Sequence, residues 1–254
     1  MVWIDVGVFI LGAVVGSFLN VCIHRMPEGC SIVFPSSRCP KCGHPISWYD
    51  NIPLLGYLLL KGRCRHCGEG ISPRYPLVEG LTACLALLLY WKFGVGLQGP
   101  VAFAFVCALI VVTFIDLNHQ IIPHAITLPG IPLCFLASVF IMDLRAIDAF
   151  MGVMTGIGVL YLIAVYYEAV TGNEGMGGGD VNLLAMMGAF LGWQSLLPIL
   201  LVAAFVGAVV GAILVVRHGK DLKYAVPFGP FLALGAVVYL FAGPFLLRFW
   251  YERS

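Results

Sequence analysis

Charged side chains are scarce in this chain. Lysine, arginine, aspartate and glutamate make up 11% of its 254 residues, whereas soluble domains contain about 25%. Hydrophobic residues make up 61%, and the mean hydropathy is +0.98. With so few charged residues, the chain cannot cover a folded core with a polar surface. The composition therefore excludes an ordinary soluble domain and predicts an all-α polytopic membrane protein. The net charge of +1 gives no support for a nucleic-acid partner, and none is expected.

Long apolar runs predict about eight transmembrane helices, because each crossing needs roughly 20 apolar residues. No charged side chain occurs in the 36 residues Val181–Val216, and this run is too long for one helix. We therefore expect a turn at Gly192–Ser195, where Trp193 would favour the lipid headgroup level. The predicted spans are Trp3–Val21, Leu77–Phe93, Pro100–Ile115, Ala125–Met142, Ala149–Tyr167, a short Val181–Leu191, Ser195–Val216 and Pro227–Leu247.

The first span lacks the marks of a cleavable signal peptide. It opens with Asp5 rather than a basic segment, and no small-residue cleavage pattern follows it. We therefore expect residues 1–22 to stay as the first transmembrane helix. Residues 23–76 are expected to form a loop domain, and residues 77–254 the membrane core.

The distribution of basic residues predicts the orientation in the membrane. Seven lysines and arginines lie in segment 22–76, three lie in loop 217–223, and four lie elsewhere. With eight spans, both loops fall on the same side, and basic residues favour the cytoplasmic side. We therefore expect a cytoplasmic long loop and both termini outside.

Two Cys-x-x-Cys pairs in the long loop predict a metal site. Cys39 and Cys42 are separated from Cys64 and Cys67 by 21 residues. Four thiolates are typical of a closed tetrahedral zinc site, which would be structural and would stabilise a loop with little core of its own. The alternative is two disulfides, which a reducing cytoplasm disfavours. The other cysteines are expected to be buried small side chains: Cys22, Cys30, Cys84, Cys107 and Cys134.

Three acids lie inside or at the end of predicted spans, where a charge is costly and usually functional. These are Glu79, Asp116 and Asp180. Asp116 and Asp180 are predicted at the same membrane depth, and two close carboxylates can share a proton and act as acid and base. Alternatively, Asp180 could cap its own helix. Capping does not explain Asp116, which would lie at a helix C-terminus.

Three glycines precede Asp180. Gly177, Gly178 and Gly179 remove side chains beside the acid, so an extended substrate could approach it and the chain could unwind before the helix. A nucleotide-binding loop is excluded, because no strand precedes the glycines and their spacing is wrong. The remaining acids are expected in easily solvated positions: Asp5, Asp143 and Asp148 flank spans on the outer side, and Glu168 and Glu174 fall in a loop.

In combination, these features resemble the bacterial type IV prepilin peptidases, the GxGD aspartic proteases of pilus and type II secretion systems. The resemblance covers nearly the whole chain, and the order and spacing of its motifs are specific. The matching segments are Gly16–Cys22 with His24 and Arg25, the two Cys-x-x-Cys pairs, Ile71–Glu79, Phe114–Asp116, Ile122–Pro123 and Gly175–Asp180.

The resemblance implies a membrane aspartic endopeptidase with Asp116 and Asp180 as its catalytic pair. Its partners would be membrane lipid and prepilins or pseudopilins, whose basic leader is cut after a glycine on the cytoplasmic side of the bacterial inner membrane. Many members then methylate the new amino terminus with S-adenosylmethionine, and Gly62 and Glu79 match the region associated with this activity. Available acidic contacts for the leader are Glu28, Glu69, Glu79 and Glu174.

Three positions depart from the family pattern. Asn118 and His124 stand where aspartate is frequent, and Asn182 stands where lysine often follows the catalytic aspartate.

Two other functional classes share some of these sequence features. A transporter would also contain membrane acids and broken helices, but no internal repeat pairs the two aspartate regions. A zinc-dependent assembly factor without catalysis would leave the matched depth of the two acids unexplained.

Overall fold

The computed structural model describes residues 2–172, 177–218 and 227–251. Within these ranges the chain is helical, and β-type pairing is confined to two isolated bridges in the cysteine loop. The helices are α1 Val2–Arg25, α2 Leu55–Leu59, α3 Arg74–Phe93, α4 Gln98–His119, α5 His124–Phe140, α6 Ala146–Thr171, α7 Gly178–Leu191, α8 Leu196–His218 and α9 Gly229–Tyr251. A 3-10 turn at Trp193–Ser195 separates α7 from α8.

The predicted apolar spans each coincide with a helix. In the described ranges, α1, α3, α4, α6 and the segment Trp193–Arg217 are long and apolar enough to cross a membrane. Three further apolar helices are shorter: α5, α7 and the segment Gly229–Gly243 of α9. The all-α membrane class is therefore confirmed, while the count of eight crossings stays a prediction.

The chain divides into an N-terminal unit, Met1–Val111, and a C-terminal unit, Val112–Ser254. In the N-terminal unit, α1 packs closely on α3 through glycines. A Cβ atom at Gly12 would lie 2.8 Å from Ala83 Cα, and one at Gly16 would lie 2.8 Å from Glu79 Cα. Small residues at such crossings let helix backbones approach where hydrophobic driving force is weak. The loop joining these helices contains α2 and the four cysteines.

Helix α7 is the most enclosed element of the C-terminal unit. Its residues Leu183–Phe190 are all buried. Helix α6 approaches it so closely that a Cβ atom at Gly152 would overlap the Gly188 backbone. On another side, the Ser138 hydroxyl of α5 donates a 2.8 Å hydrogen bond to the Ala189 carbonyl. These contacts fix the position of the helix that begins just before Asp180.

Two expectations about the acids were wrong. Asp148 is only 6% exposed and accepts hydrogen bonds from Arg145 Nε at 2.6 Å and Trp193 Nε1 at 3.1 Å. The turn after α7 places Trp193 against the start of α6, so this carboxylate is enclosed rather than solvated. Glu168 lies in the last turn of α6 instead of a loop, and Glu174 lies outside the described residues.

The expectation for the unpaired cysteines was wrong at two positions. Cys22 and Cys107 are buried and Cys134 is half-buried, but Cys30 and Cys84 are exposed. Cys84 lies on α3 beside the buried Thr82 and Ala83 but points to the opposite side. A helix buries only one stripe of its surface, so an apolar run does not by itself place a cysteine inside.

Candidate active site and metal centre

Asp116 lies in the last turn of α4 and is only 5% exposed. Its Oδ2 atom accepts a 3.0 Å hydrogen bond from the backbone amide of Gly229, the first residue of α9. A Cβ atom at position 229 would lie 2.6 Å from that oxygen, so only glycine fits this contact without a shift. Gly229 was not among the residues predicted for the site. The signal present was the Pro-Phe-Gly-Pro segment, residues 227–230, at the start of the last span.

Asp180 is the third residue of α7 rather than its cap. The N-cap position is held by Gly177, whose backbone is extended, and no side chain caps this end of the helix. Asp180 Oδ1 is buried and has no hydrogen-bond partner within the described ranges. The capping alternative is therefore wrong, and this carboxyl oxygen is available for another group.

The two aspartates lie near one another in the C-terminal unit. Gly229, whose amide donates to Asp116, and Gly179, which precedes Asp180, both pack against Ile122. A Cβ atom at Gly179 would lie 2.8 Å from Ile122 Cβ, and one at Gly229 would lie 3.2 Å from Ile122 Cδ1. The arrangement combines two carboxyl groups with one backbone amide donor.

The glycines before Asp180 differ in their surroundings. A Cβ atom at Gly178 would have nothing within 4 Å, and one at Gly177 would meet only a backbone nitrogen at 4.0 Å. Space therefore exists beside these two residues. The expected unwinding was wrong for Gly178 and Gly179, because α7 begins at Gly178 and Ile122 packs against Gly179. Gly175 lies outside the described residues.

Two of the three departures from the family pattern touch each other. Asn182 Nδ2 lies 3.3 Å from His124 Nδ1, which connects the start of α5 to the first turns of α7. The third departure, Asn118, donates through its side-chain amide to the Phe114 carbonyl of its own helix. Positions 124 and 182 therefore form one polar pair near Asp180.

The four predicted cysteines converge. The Sγ atoms of Cys39, Cys42, Cys64 and Cys67 all lie within 4.8 Å of one another, and those of Cys39 and Cys67 are 3.9 Å apart. Zinc–sulfur bonds of about 2.3 Å in a tetrahedron place sulfurs about 3.8 Å apart, whereas a disulfide requires about 2.0 Å. The cluster therefore fits a single metal ion.

The two halves of the cluster share one backbone pattern. The Cys39 amide bonds to the His44 carbonyl at 2.9 Å, and the Cys64 amide bonds to the Glu69 carbonyl at 2.8 Å. Gly43 and Gly68 follow the pairs with φ of +69° and +70°, a conformation that glycine adopts readily. Backbone hydrogen bonds from Cys42 and then Lys41 lower the pKa of Cys39 to about 7. These turns direct amides at a thiolate, as a metal knuckle requires.

Gly62 and Glu79 both contact the short helix α2 in the N-terminal unit. Gly62 has φ of +68°, and a Cβ atom there would lie 2.9 Å from Tyr57 Oη. Glu79 is only 8% exposed and accepts a 2.7 Å hydrogen bond from the Leu54 amide at the α2 N-cap. Tyr57 and Glu79 line a cavity of about 640 Å³ formed by the loop and the facing ends of α1 and α3.

Comparisons with known proteins identify the family. The model of the bacterial Peptidase A24 N-terminal domain matches residues 10–93, and that of the type IV leader peptidase family matches residues 103–212. No solved structure matches the chain significantly. These two matches divide the chain between its cysteine-containing and aspartate-containing parts.

Similar curated proteins are named prepilin leader peptidase/N-methyltransferase. One from Myxococcus xanthus is 46% identical over 84% of this chain, which spans 63% of that relative's length. One from Aeromonas salmonicida is 38% identical over 96% of this chain and 92% of its own length. One from Pseudomonas aeruginosa is 36% identical over 94% and 90%. Because identity at this level extends over nearly all of the chain, the protein belongs to the type IV leader peptidase family.

Proposed function

We propose that the protein is a membrane aspartic endopeptidase that removes the leader of type IV prepilins or pseudopilins after a glycine and then N-methylates the new amino terminus. The observation that carries this proposal is that Asp116, at the end of α4, and Asp180, at the start of α7, are both placed beside Ile122 by their glycine neighbours. The family match supports the same activity. It gives no support to a transporter or to a non-catalytic assembly factor.

The carboxyl pair supplies both the acid and the base of the cleavage. Two nearby carboxyls hold one proton between them, because ionising both is costly. The protonated group donates to the scissile carbonyl oxygen while its partner takes a proton from water, and the water oxygen adds to the carbonyl carbon. In the second step the new acid protonates the leaving nitrogen, the other carboxylate recovers a hydroxyl proton, and the C–N bond breaks.

The two aspartates have different surroundings, which suggests different roles. A hydrogen bond from a backbone amide stabilises a carboxylate, and Asp116 receives one from Gly229. Asp180 has a buried oxygen without a partner in the part of the chain that the structure describes. We therefore assign the first proton abstraction to Asp116 and the first proton donation to Asp180. The open space at Gly177 and Gly178 would admit the extended substrate backbone.

The long loop of the N-terminal unit serves the second activity. Cys39, Cys42, Cys64 and Cys67 would hold a structural zinc ion, whose four thiolates leave no position for water. The ion would stabilise the loop domain of residues 23–76 between the first helix and the membrane core of residues 77–254. S-adenosylmethionine supplies a methyl group on a sulfonium for attack by the neutral amine. Gly62 and Glu79 belong to this region.

The orientation follows from the charges. The basic residues of segment 22–76 and loop 217–223 favour a cytoplasmic position for both in an eight-span topology. Lys220 and Lys223 lie outside the described residues. We assign the protein to the bacterial inner membrane, with the carboxyl pair facing the cytoplasm and both termini outside.

Cleavage of a prepilin by the full-length protein in detergent tests the proposal. We expect Asp116→Asn and Asp180→Asn to lower the rate of leader release by at least about 100-fold, the usual contribution of an acid–base group. The exposed Glu168, in the last turn of α6, offers a matched control, and Glu168→Gln should cleave normally. Mass spectrometry of the product measures leader loss. Wild-type rates in both aspartate variants would refute the assignment.

A further inference from the structure

The cavity of the N-terminal unit has the size of a small-molecule site. Its volume of about 640 Å³ lies within the range of ligand pockets. It is lined by the end of α1, the start of α3 and the cysteine loop. Glu79 lines this cavity, whereas Gly62 is not among its lining residues.

Two polar atoms at this cavity have no hydrogen-bond partner among the residues that the structure describes. Asn20 is only 2% exposed, and its Nδ2 atom donates a 3.1 Å hydrogen bond to the Tyr75 carbonyl. Its Oδ1 atom is buried without a partner, and so is Nε of Arg74. Buried polar groups are nearly always hydrogen-bonded. Asn20 contacts Tyr75, and Arg74 precedes Tyr75 in the sequence. The two buried atoms without partners therefore lie close to the same residue and indicate a binding site for a ligand.

A carboxylate completes the set. Glu79 follows Tyr75 by one helical turn, so both side chains lie on the same face of α3. Ser17, one turn before Asn20 on α1, interacts with Glu79. The cavity therefore presents a guanidinium at Arg74, an amide oxygen at Asn20 and an acid at Glu79 along one wall.

Two other arginines of the cavity already have partners. Arg25 donates to the Ser31 and Pro35 carbonyls at 3.0 and 2.7 Å. Arg65 forms an ion pair with Asp50 at 2.6 Å. Among the described residues that line the cavity, the buried side-chain atoms without a hydrogen-bond partner are Asn20 Oδ1 and Arg74 Nε.

A ligand that satisfies these groups needs an anion for Arg74 and a cationic donor for Asn20 and Glu79. An α-amino acid group has both, because its carboxylate and ammonium are attached to one carbon. We propose that Asn20, Arg74 and Glu79 bind the amino acid head group of the methyl donor S-adenosylmethionine. This inference rests on the methyl-transfer part of the proposed function, and it adds the residues that hold the donor.

Two stable donor analogues separate head-group recognition from the rest of the ligand. S-adenosylhomocysteine retains the amino acid group, and 5′-methylthioadenosine lacks it. Calorimetry with the full-length protein in detergent should show at least about tenfold tighter binding of S-adenosylhomocysteine, as expected for charge-assisted hydrogen bonds. Arg74→Gln and Asn20→Leu should remove this preference without changing the affinity for 5′-methylthioadenosine. Arg74→Lys should retain part of it.

Arg63→Gln is the matched control, because Arg63 lies in the same loop but does not line the cavity. It should retain the full preference. A preference that survives in both site variants would overturn the inference, as would a wild-type protein that binds neither analogue tightly enough to distinguish them. The wild type could transfer labelled methyl to a cleaved prepilin while Arg74→Gln and Asn20→Leu both keep the preference for S-adenosylhomocysteine. These two results together would place the donor at another site and leave the proposed function unchanged. Prepilin cleavage without methyl transfer would refute the methylation itself.

Discussion

The backbone amide of Gly229 donates a 3.0 Å hydrogen bond to Oδ2 of Asp116, across 113 positions of sequence. This contact makes the start of α9 a third element of the candidate active site, beside the ends of α4 and α7. It also ties the last apolar helix to the reaction, because the donor can be kept only while the backbone stays this close. Removing the glycine should therefore damage catalysis rather than substrate binding.

We expect Gly229→Ala to lower kcat for prepilin cleavage by roughly 10- to 100-fold, the effect of losing one hydrogen bond to a charged group. The added Cβ would lie 2.6 Å from Asp116 Oδ2 and force the amide away. Gly211→Ala, in α8, is the control, because a Cβ atom there meets nothing within 4 Å. Steady-state kinetics separate kcat from KM. An unchanged kcat would show that this hydrogen bond is dispensable.

The contact between His124 and Asn182 should appear as energetic coupling. We expect His124→Ala and Asn182→Ala each to lower kcat/KM, and the double variant to lose less than the sum of the two free-energy changes. The coupling for an exposed pair would be about 0.5 kcal/mol or more, since the two side chains lie 3.3 Å apart. A double-mutant cycle on cleavage rates measures it, and strictly additive effects would contradict a functional pair.

Metal content tests the cysteine cluster. The purified protein should contain one zinc ion per chain by elemental analysis, and Cys39→Ser should lose most of it, because three thiolates hold zinc less tightly than four. Cys84→Ser should retain the ion, since Cys84 is exposed on α3 and lies outside the cluster. A metal-free wild type, or equal zinc in both variants, would contradict the site.

Acid should weaken the loop through Asp50. Its ion pair with Arg65 holds the pKa of this carboxyl below the usual value, so the native loop favours the charged form more than the unfolded chain does. The stabilisation is present above the usual aspartate pKa of about 4 and disappears as the pH falls through the lower native value. Asp50→Asn should therefore lower Tm at pH 7, and this difference should shrink as the pH falls below the usual aspartate pKa. A Tm difference independent of pH would show that the pair contributes nothing through its charge.

Local patterns in the sequence were sufficient to predict the helices, the cysteine cluster and the candidate acids of this protein. Apolar runs identified the helices, because length and composition decide whether a segment can cross a bilayer. The Cys-x-x-Cys spacing identified the four cysteines that cluster, since each pair forms its turn within a few residues. Asp116 and Asp180 were identifiable because an acid beside a long apolar run is costly without a function.

Tertiary structure alone decided which of these groups meet. Gly229 and Asp116, His124 and Asn182, and Asn20 and Tyr75 are each separated by more than 50 residues. Such contacts depend on how closely the helices approach, which the glycines in their packed faces control. The membrane class, the apolar helices and the candidate side chains Asp116 and Asp180 were predictable from the sequence. The packing of those helices determined that Asp180 is no cap, that Asp116 has an amide donor and that Asp148 is enclosed, because hydrogen-bond partners distant in sequence leave no periodic signal in it.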